Sequence, residues 1–222
     1  CKQVFEILII VNMLRLKTTL KKRSDAFTLF IKIHRVAGRE LFHERTDPAF
    51  ICLFNKKMEM AIIGAGGQSR IVNEILSHDR DVEVVAFVDN VARSGKENIK
   101  GIPIVGDHSI LPELIKNGVR GAIVAVSMND IRKAHFEKLR DMGFELINAI
   151  HPTASIAPSV TLGSGVTVAM GTIINTGVHI GNNVIINTGA IIDHECQIED
   201  HVHISMGCSL AGRVTVKKST LV

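Results

Sequence analysis

The stretch from Ile191 to Ser205, IIDHECQIEDHVHIS, packs three histidines, two glutamates, two aspartates and a cysteine into fifteen residues. Side chains of these types support two chemistries. Histidine and cysteine, helped by carboxylates, hold zinc. An imidazole beside a carboxylate is a general base, because free imidazole titrates near pH ~6.5 and the carboxylate orients it and makes it more basic. A plainer reading is also open, in which these are water-facing polar residues on a stable scaffold. The choice depends on the backbone that carries them.

That backbone has an unusual period. An aliphatic residue recurs every six positions from Ile156 through Leu162, Val168, Ile174, Ile180, Ile186, Ile192, Ile198, Ile204, Leu210 and Val216 to Val222. Four positions after each comes something small or β-branched, as at Val160, Thr172, Ala190, Cys196 and Cys208. A helix repeats every ~3.6 residues and a flat amphipathic strand every ~2. A period of six is that of a hexapeptide β-helix, in which about three hexapeptides close one triangular coil and residues eighteen apart stack. The register sorts the cluster. Ile192 and Cys196 point inward, so Cys196 is neither nucleophile nor ligand, whereas His194 and Glu195 project outward. His203 lies nine residues after His194, half a coil, so the two leave opposite sides of the prism. Only a neighbouring chain brings them together, which points to a symmetric oligomer with its site between subunits. The zinc reading, as in β-helical carbonic anhydrases, needs histidines from two chains. The base reading needs only His194 and Glu195.

Upstream, residues 58–150 alternate strand and helix signals. MAIIG runs into the glycine turn GAGG (Gly64–Gly67) and a helix-like SRIVNEILS; VEVVAFVDN and GAIVAVS follow as buried strands, and MNDIRKAHFEKLRDMG as a helix ending at Gly143. Strand and helix alternating at these lengths predict a parallel sheet with crossover helices. The glycine turn suits phosphate at a helix N-terminus, but the dinucleotide fingerprint fails because Ser69 stands where its third glycine belongs. Asp89, ending the second strand, has the chemistry to hold a ribose or sugar hydroxyl, or is a plain exposed turn residue.

Composition excludes some partners. Aromatic residues make up 4% of the chain, with no Trp and no Tyr, which argues against stacking on nucleic-acid bases. The net charge of +4 arises in residues 1–57, with 12 Lys and Arg against 5 Asp and Glu, while the remainder is acidic. That remainder offers no electrostatic case for DNA or RNA. Cys1, Cys52, Cys196 and Cys208 have no CxxC spacing and read as reduced thiols of a cytoplasmic protein. No apolar run approaches the ~20 residues of a membrane span. Residues 1–57 read as an extension outside the fold, with an amphipathic membrane-surface helix over VNMLRLKTTLKKR as the alternative.

Taken together, IIGAGGQSR, FVDN, AIVAVSMNDIRK, NAIHPTASIAPSV and NTGAIIDHECQIEDHVHISMGCSLAG resemble the sialic acid O-acetyltransferase / UDP-4-amino-sugar N-acetyltransferase family, over Met60 to Val222. The resemblance implies a Rossmann-like nucleotide-sugar-binding domain over 58–150, then a left-handed β-helix over 151–222, assembled as a homotrimer. It implies acetyl transfer from acetyl-CoA to an amine or hydroxyl of a nucleotide-linked amino sugar or a sialic acid, with no metal. His194 matches the family's catalytic base, Glu195 the neighbour that raises its basicity, and His203 a histidine contacting acetyl-CoA across the subunit interface. Gly66, Gly67 and Gln68 match the loop around the sugar-nucleotide phosphates, Asp89 and Asn90 the pair after the second strand, and Ser127 and Asn129 the loop after the third. Gln68-Ser69 stands where the family usually has histidine-glycine, and Ser127 where it usually has glycine. Readings of other classes are the zinc lyase and a non-catalytic sugar-nucleotide-binding scaffold. The family also continues beyond the coil holding Val222, so the sequence predicts a fragment of a longer product, one that binds acetyl-CoA poorly and tends to aggregate.

Overall fold

The computed structural model describes residues 57–89 and 98–222, within a compact unit spanning Lys56–Val222. Asn90, Cys1, Cys52 and the amphipathic reading of the first segment lie outside the described residues.

The α/β half is built on a six-stranded sheet: β1 (Met58–Ile63), β2 (Val82–Val88), β3 (Asn98–Ile99), β4 (Ile102–Gly106), β5 (Gly121–Val124) and β6 (Glu145–Leu146). The strand order is β3-β4-β2-β1-β5-β6, parallel except for the antiparallel β3–β4 pair. Helix α1 (Gly67–Ser77) connects β1 to β2, α2 (Leu111–Lys116) precedes β5, and α3 (Asn129–Asp141) connects β5 to β6. The chain leaves β1 in one direction along the sheet and β5 in the other. A parallel sheet opens a crevice at such a switch point, beyond the carboxyl ends of its strands. The loops meet there: a Cβ on Gly64 would lie 2.9 Å from the Ala125 carbonyl oxygen, and the Ser69 hydroxyl donates to that oxygen at 3.3 Å. The hairpin β3–β4 and helix α2 are additions to the sequence reading. Strands this short, with Pro103 inside β4, carry little periodic signal.

From Ala149 onward the chain forms three stacked parallel sheets of four two-residue strands each. The first face carries Ala149–Ile150, Thr167–Val168, Ile185–Ile186 and His203–Ile204; the second Ser155–Ile156, Ile173–Ile174, Ile191–Ile192 and Ser209–Leu210; the third Thr161–Leu162, His179–Ile180, Gln197–Ile198 and Thr215–Val216. Every pairing joins residues eighteen apart, as Ile173 with Ile191 or Ile185 with His203. The six-residue register holds throughout, and the inward residues form one apolar core from Val166 to Val216. Cys196 is fully buried in it, and Cys208 packs against it.

A second six-residue rhythm lies in the backbone. A left-handed conformation recurs at Gly165, Gly171, Gly177, Asn183, Gly189, Glu195, His201, Gly207, Arg213 and Ser219, with φ between 55° and 70°. Glycine or asparagine suits such a turn. A bulkier residue there costs on the order of 1–2 kcal/mol, so Glu195, His201 and Arg213 draw notice.

The two halves meet along α3. Phe136 packs edge-to-face on the His201 ring, centroids 5.7 Å apart, and fills the space left by Gly165. This covers the first face, so Thr167, Ile185 and His203, which would otherwise point to solvent, are buried.

Candidate functional site

His194 and Glu195 stand on the turn between the second and third faces, the corner opposite the face that carries His203. The opposition read from the half-coil spacing is therefore the geometry of the chain. His194 Nδ1 lies 3.3 Å from Glu195 Oε2. A carboxylate accepts, so Nδ1 carries a hydrogen, and in the neutral ring Nε2 is the nitrogen with the lone pair. The same Glu195 oxygen accepts from Arg213 Nε at 2.7 Å. Arg213 first, and His194 next, hold the Glu195 carboxyl below the usual carboxylate range, which keeps it ionised beside the imidazole. Both His194 and Glu195 are about half exposed, with side chains 44% and 53% accessible.

The stacking coils shape this corner. Eighteen residues after His194 comes Gly212, and a Cβ there would run into the imidazole: Nε2 lies in direct collision, Cε1 2.6 Å away and Cδ2 2.9 Å away. Glu195 has Gly177 on one side, whose added Cβ would lie 3.4 Å from Glu195 Cγ, and Arg213 on the other. Sequence reading missed Gly212 and Arg213, although adding one coil of eighteen residues to His194 and Glu195 finds both.

His203 sits differently. It is 7% exposed and held on two sides, its Nδ1 3.4 Å from the Ser127 carbonyl and its Nε2 3.3 Å from Asn187 Nδ2. Burial first, and the nearby Arg132 charge, push the His203 pKa down, while the Ser127 carbonyl pulls the other way. His201, also buried, bonds Asn183 through Nδ1 at 2.8 Å and belongs to the packing against Phe136.

The residues matched to a sugar-nucleotide loop gather at the switch point. Gly66 and Gly67 open α1 with free space around their Cα atoms. Gln68 is buried with no hydrogen-bond partner for Nε2. The Asp89 carboxylate takes the Ala65 N–H at 2.8 Å, tying the glycine turn to the end of β2. Ser127 is exposed. Asn129 is largely consumed by structure, accepting from Arg132 at 2.8 Å and donating to the Ser219 carbonyl at 2.8 Å. Among the described residues, no group of three His, Cys, Asp or Glu side chains is placed to hold a metal ion, and no helix is long and apolar enough to cross a membrane.

Residues 59–139 match the family model described as the PglD N-terminal domain. The crystal structure of a histidine variant of perosamine N-acetyltransferase from Caulobacter crescentus, in complex with CoA and GDP-perosamine, is similar at 38% identity and a TM-score of 0.69 over 73% of this chain and 76% of that one. This chain belongs to that sugar N-acetyltransferase family. The acetyltransferase domain of PglB from Neisseria gonorrhoeae FA1090, in complex with acetyl coenzyme A, is similar at 30% identity and a TM-score of 0.69 over 75% of this chain and 80% of that one. A curated family member, UDP-N-acetylbacillosamine N-acetyltransferase of Bacillus subtilis (strain 168), is 32% identical over 114 residues, 49% of this chain. The matched region spans about half the length of that relative. Membership fixes the fold class as a Rossmann-like α/β part followed by a left-handed β-helix.

Proposed function

We propose that this chain moves acetyl from acetyl-CoA to the amine of a nucleotide-linked sugar, with His194 as general base and Glu195 as its orienting partner. The observation that carries the reading is the direction of the imidazole. Its Nδ1 faces Glu195, so Nε2 is the atom that takes a proton from the acceptor nitrogen, and the ionised Glu195 stabilises the imidazolium that results. Acetyl-CoA supplies the activated acyl group as a thioester. Cys196 has no part as an acyl carrier, since it is buried and donates its thiol hydrogen to the Ala211 carbonyl at 3.1 Å.

Gly66, Gly67, Gln68, Asp89 and Ser127 are the proposed sugar-nucleotide residues, joined by Asn90 from the sequence match and by Asn129 as an anchor of the Ser127 loop. Amine acceptors are favoured over hydroxyls, and over free sialic acid, because two of the similar proteins named above are N-acetyltransferases and one of these is bound to GDP-perosamine. His203 is proposed to face acetyl-CoA, and residues 58–150 and 151–222 to divide these two tasks. The reading places the enzyme in the cytoplasm, where thiols such as Cys196 and Cys208 stay reduced.

The test is a panel of UDP-, GDP-, dTDP- and CMP-linked amino sugars with acetyl-CoA, followed by thiol release. Turnover with at least one amine, lost with its hydroxyl analogue, is the expected result. Zinc bound stoichiometrically and lost on replacing His194 or His203 would replace this reading with the lyase.

The assembly is proposed to be a homotrimer. Ile173 and Ile191 pair in register on the second face and point to solvent at 45% and 42% exposure, beside the exposed Met170 and Met206. Exposed aliphatic side chains stacked in register on a polar prism mark an interaction surface. The chain is expected to scatter as a trimer of 24.2 kDa subunits rather than as the aggregates the sequence reading expects, and Ile191→Glu to shift it to monomer with loss of turnover. A wild-type monomer with full activity would rule the trimer out.

A further inference from the structure

Arg132 is completely buried, and every partner of its guanidinium is neutral. Nε donates to the Asn183 carbonyl at 3.1 Å. Nη1 donates to the carbonyls of Val126 at 3.2 Å and Ser127 at 2.9 Å. Nη2 donates to Asn129 Oδ1 at 2.8 Å and to the carbonyls of His201 at 2.8 Å and Val202 at 3.2 Å. Burial pushes the guanidinium down to about 10, which leaves it charged at neutral pH. A buried cation without a carboxylate is costly, so what it organises is informative. It binds the loop after β5 to two successive turns of the β-helix.

One of those acceptors serves twice. The Ser127 carbonyl oxygen held by Arg132 also faces His203 Nδ1 at 3.4 Å. A carbonyl only accepts, so Nδ1 must carry the hydrogen. The other side of the ring agrees. Asn187 Oδ1 takes the Thr188 N–H at 2.8 Å, which fixes the orientation of the amide and turns its NH2 group towards His203 Nε2 at 3.3 Å. Nε2 is therefore an acceptor. Both contacts specify a single tautomer, and Arg132 holds the piece of backbone that one of them needs.

We propose that Arg132 is a positioning residue for His203: by pinning the Ser127 carbonyl it fixes the imidazole as the Nδ1–H tautomer, with Nε2 kept as an acceptor. The proposal deepens the reading in which His203 faces the acetyl donor and Ser127 the sugar nucleotide, because one carbonyl then joins the two sides. It also limits what His203 does. With Nε2 unprotonated the ring accepts a hydrogen bond there, and it does not donate one to a thioester oxygen.

The test is long-range 1H–15N spectroscopy of the imidazoles in the uniformly labelled full chain at pH 7, with the His203 signals assigned by their loss in His203→Gln. The expected wild-type pattern is a protonated Nδ1 and an unprotonated Nε2. In Arg132→Lys, which keeps a cation but loses the fork, the pattern is expected to become a mixture of tautomers, and KM for acetyl-CoA to rise about five- to tenfold, the worth of one misplaced hydrogen bond, with a smaller change in kcat. Asn129→Ala, which removes one of the three acceptors of Arg132 Nη2 and unties the Ser127 loop from the Ser219 carbonyl, gives a second and gentler perturbation should the lysine variant not fold. A wild-type ring that is protonated on Nε2 overturns the proposal, as does an unchanged tautomer in a folded Arg132→Lys or Asn129→Ala protein. A changed tautomer with an unchanged KM leaves the Arg132 assignment standing and removes His203 from the acetyl-donor side.

Discussion

Replacing His194, the proposed general base, with alanine is expected to lower kcat by about 10²–10⁴-fold, the usual cost of losing such a group, with assembly state and thermal stability unchanged. The second half of this expectation follows from where the ring sits. His194 is outside the apolar core, about half exposed, and its one side-chain hydrogen bond goes to an exposed carboxylate. Removing it exposes no core surface and leaves no buried polar group unpaired. His194→Asn makes the same point with less change of shape, since the amide has no titrating nitrogen. The measurement is steady-state thiol release beside thermal melts of the same preparations. A variant with wild-type kcat removes His194 from the mechanism. One that loses activity together with several degrees of melting temperature shows a structural residue instead.

The six-residue period made the β-helical half legible because it acts as a ruler. It places Ile192 and Cys196 inside, sends His194 and Glu195 outward, and separates His194 from His203 by half a turn. All of that stands in the structure. The strand–helix alternation gave β1, α1, β2, β5 and α3 for the ordinary reason that buried parallel strands are continuous apolar runs. What escaped was long-range pairing. Arg132 shares a helical face with Phe136 and Leu139, all three buried, so a charge on the apolar stripe of α3 was there to be seen. Three of its partners, however, the carbonyls of Asn183, His201 and Val202, lie 51 to 70 residues away in the β-helix, and no local pattern announces them. Asn129 shows the converse: a position matched to ligand binding spends its amide on Arg132 and Ser219. His203, matched to the acetyl donor, is covered by its own α/β half. The exposed Ile173 and Ile191 occupy outward positions where the hexapeptide rule expects nothing in particular, although their spacing of eighteen residues is the one that stacks them.

Gly212→Ala is the sharpest test of the proposed catalytic corner, because it replaces no group to which chemistry is assigned. Gly212 stacks one coil beyond His194, and the added methyl would occupy the space of Nε2, Cε1 and Cδ2. The backbone at Gly212 has no positive φ, so alanine is tolerated there conformationally. The obstacle is the far end of one side chain, which can rotate away. Folding stability is therefore expected to change little. Catalysis is not protected in the same way. An imidazole that swings clear of a methyl moves its Nε2 by an ångström or more and gives up its alignment with Glu195, and misplacement of about 1 Å costs on the order of 10²-fold in rate. The expected result is a folded protein of unchanged assembly state, with kcat reduced about 100-fold and KM for acetyl-CoA altered far less. Gly207→Ala serves as the comparison, since its added Cβ meets nothing; its positive φ makes it the more destabilising change of the two. If Gly212→Ala retained full kcat, the imidazole would not work from the position it holds over this glycine. The base would then act from a different rotamer, without Glu195 at its back.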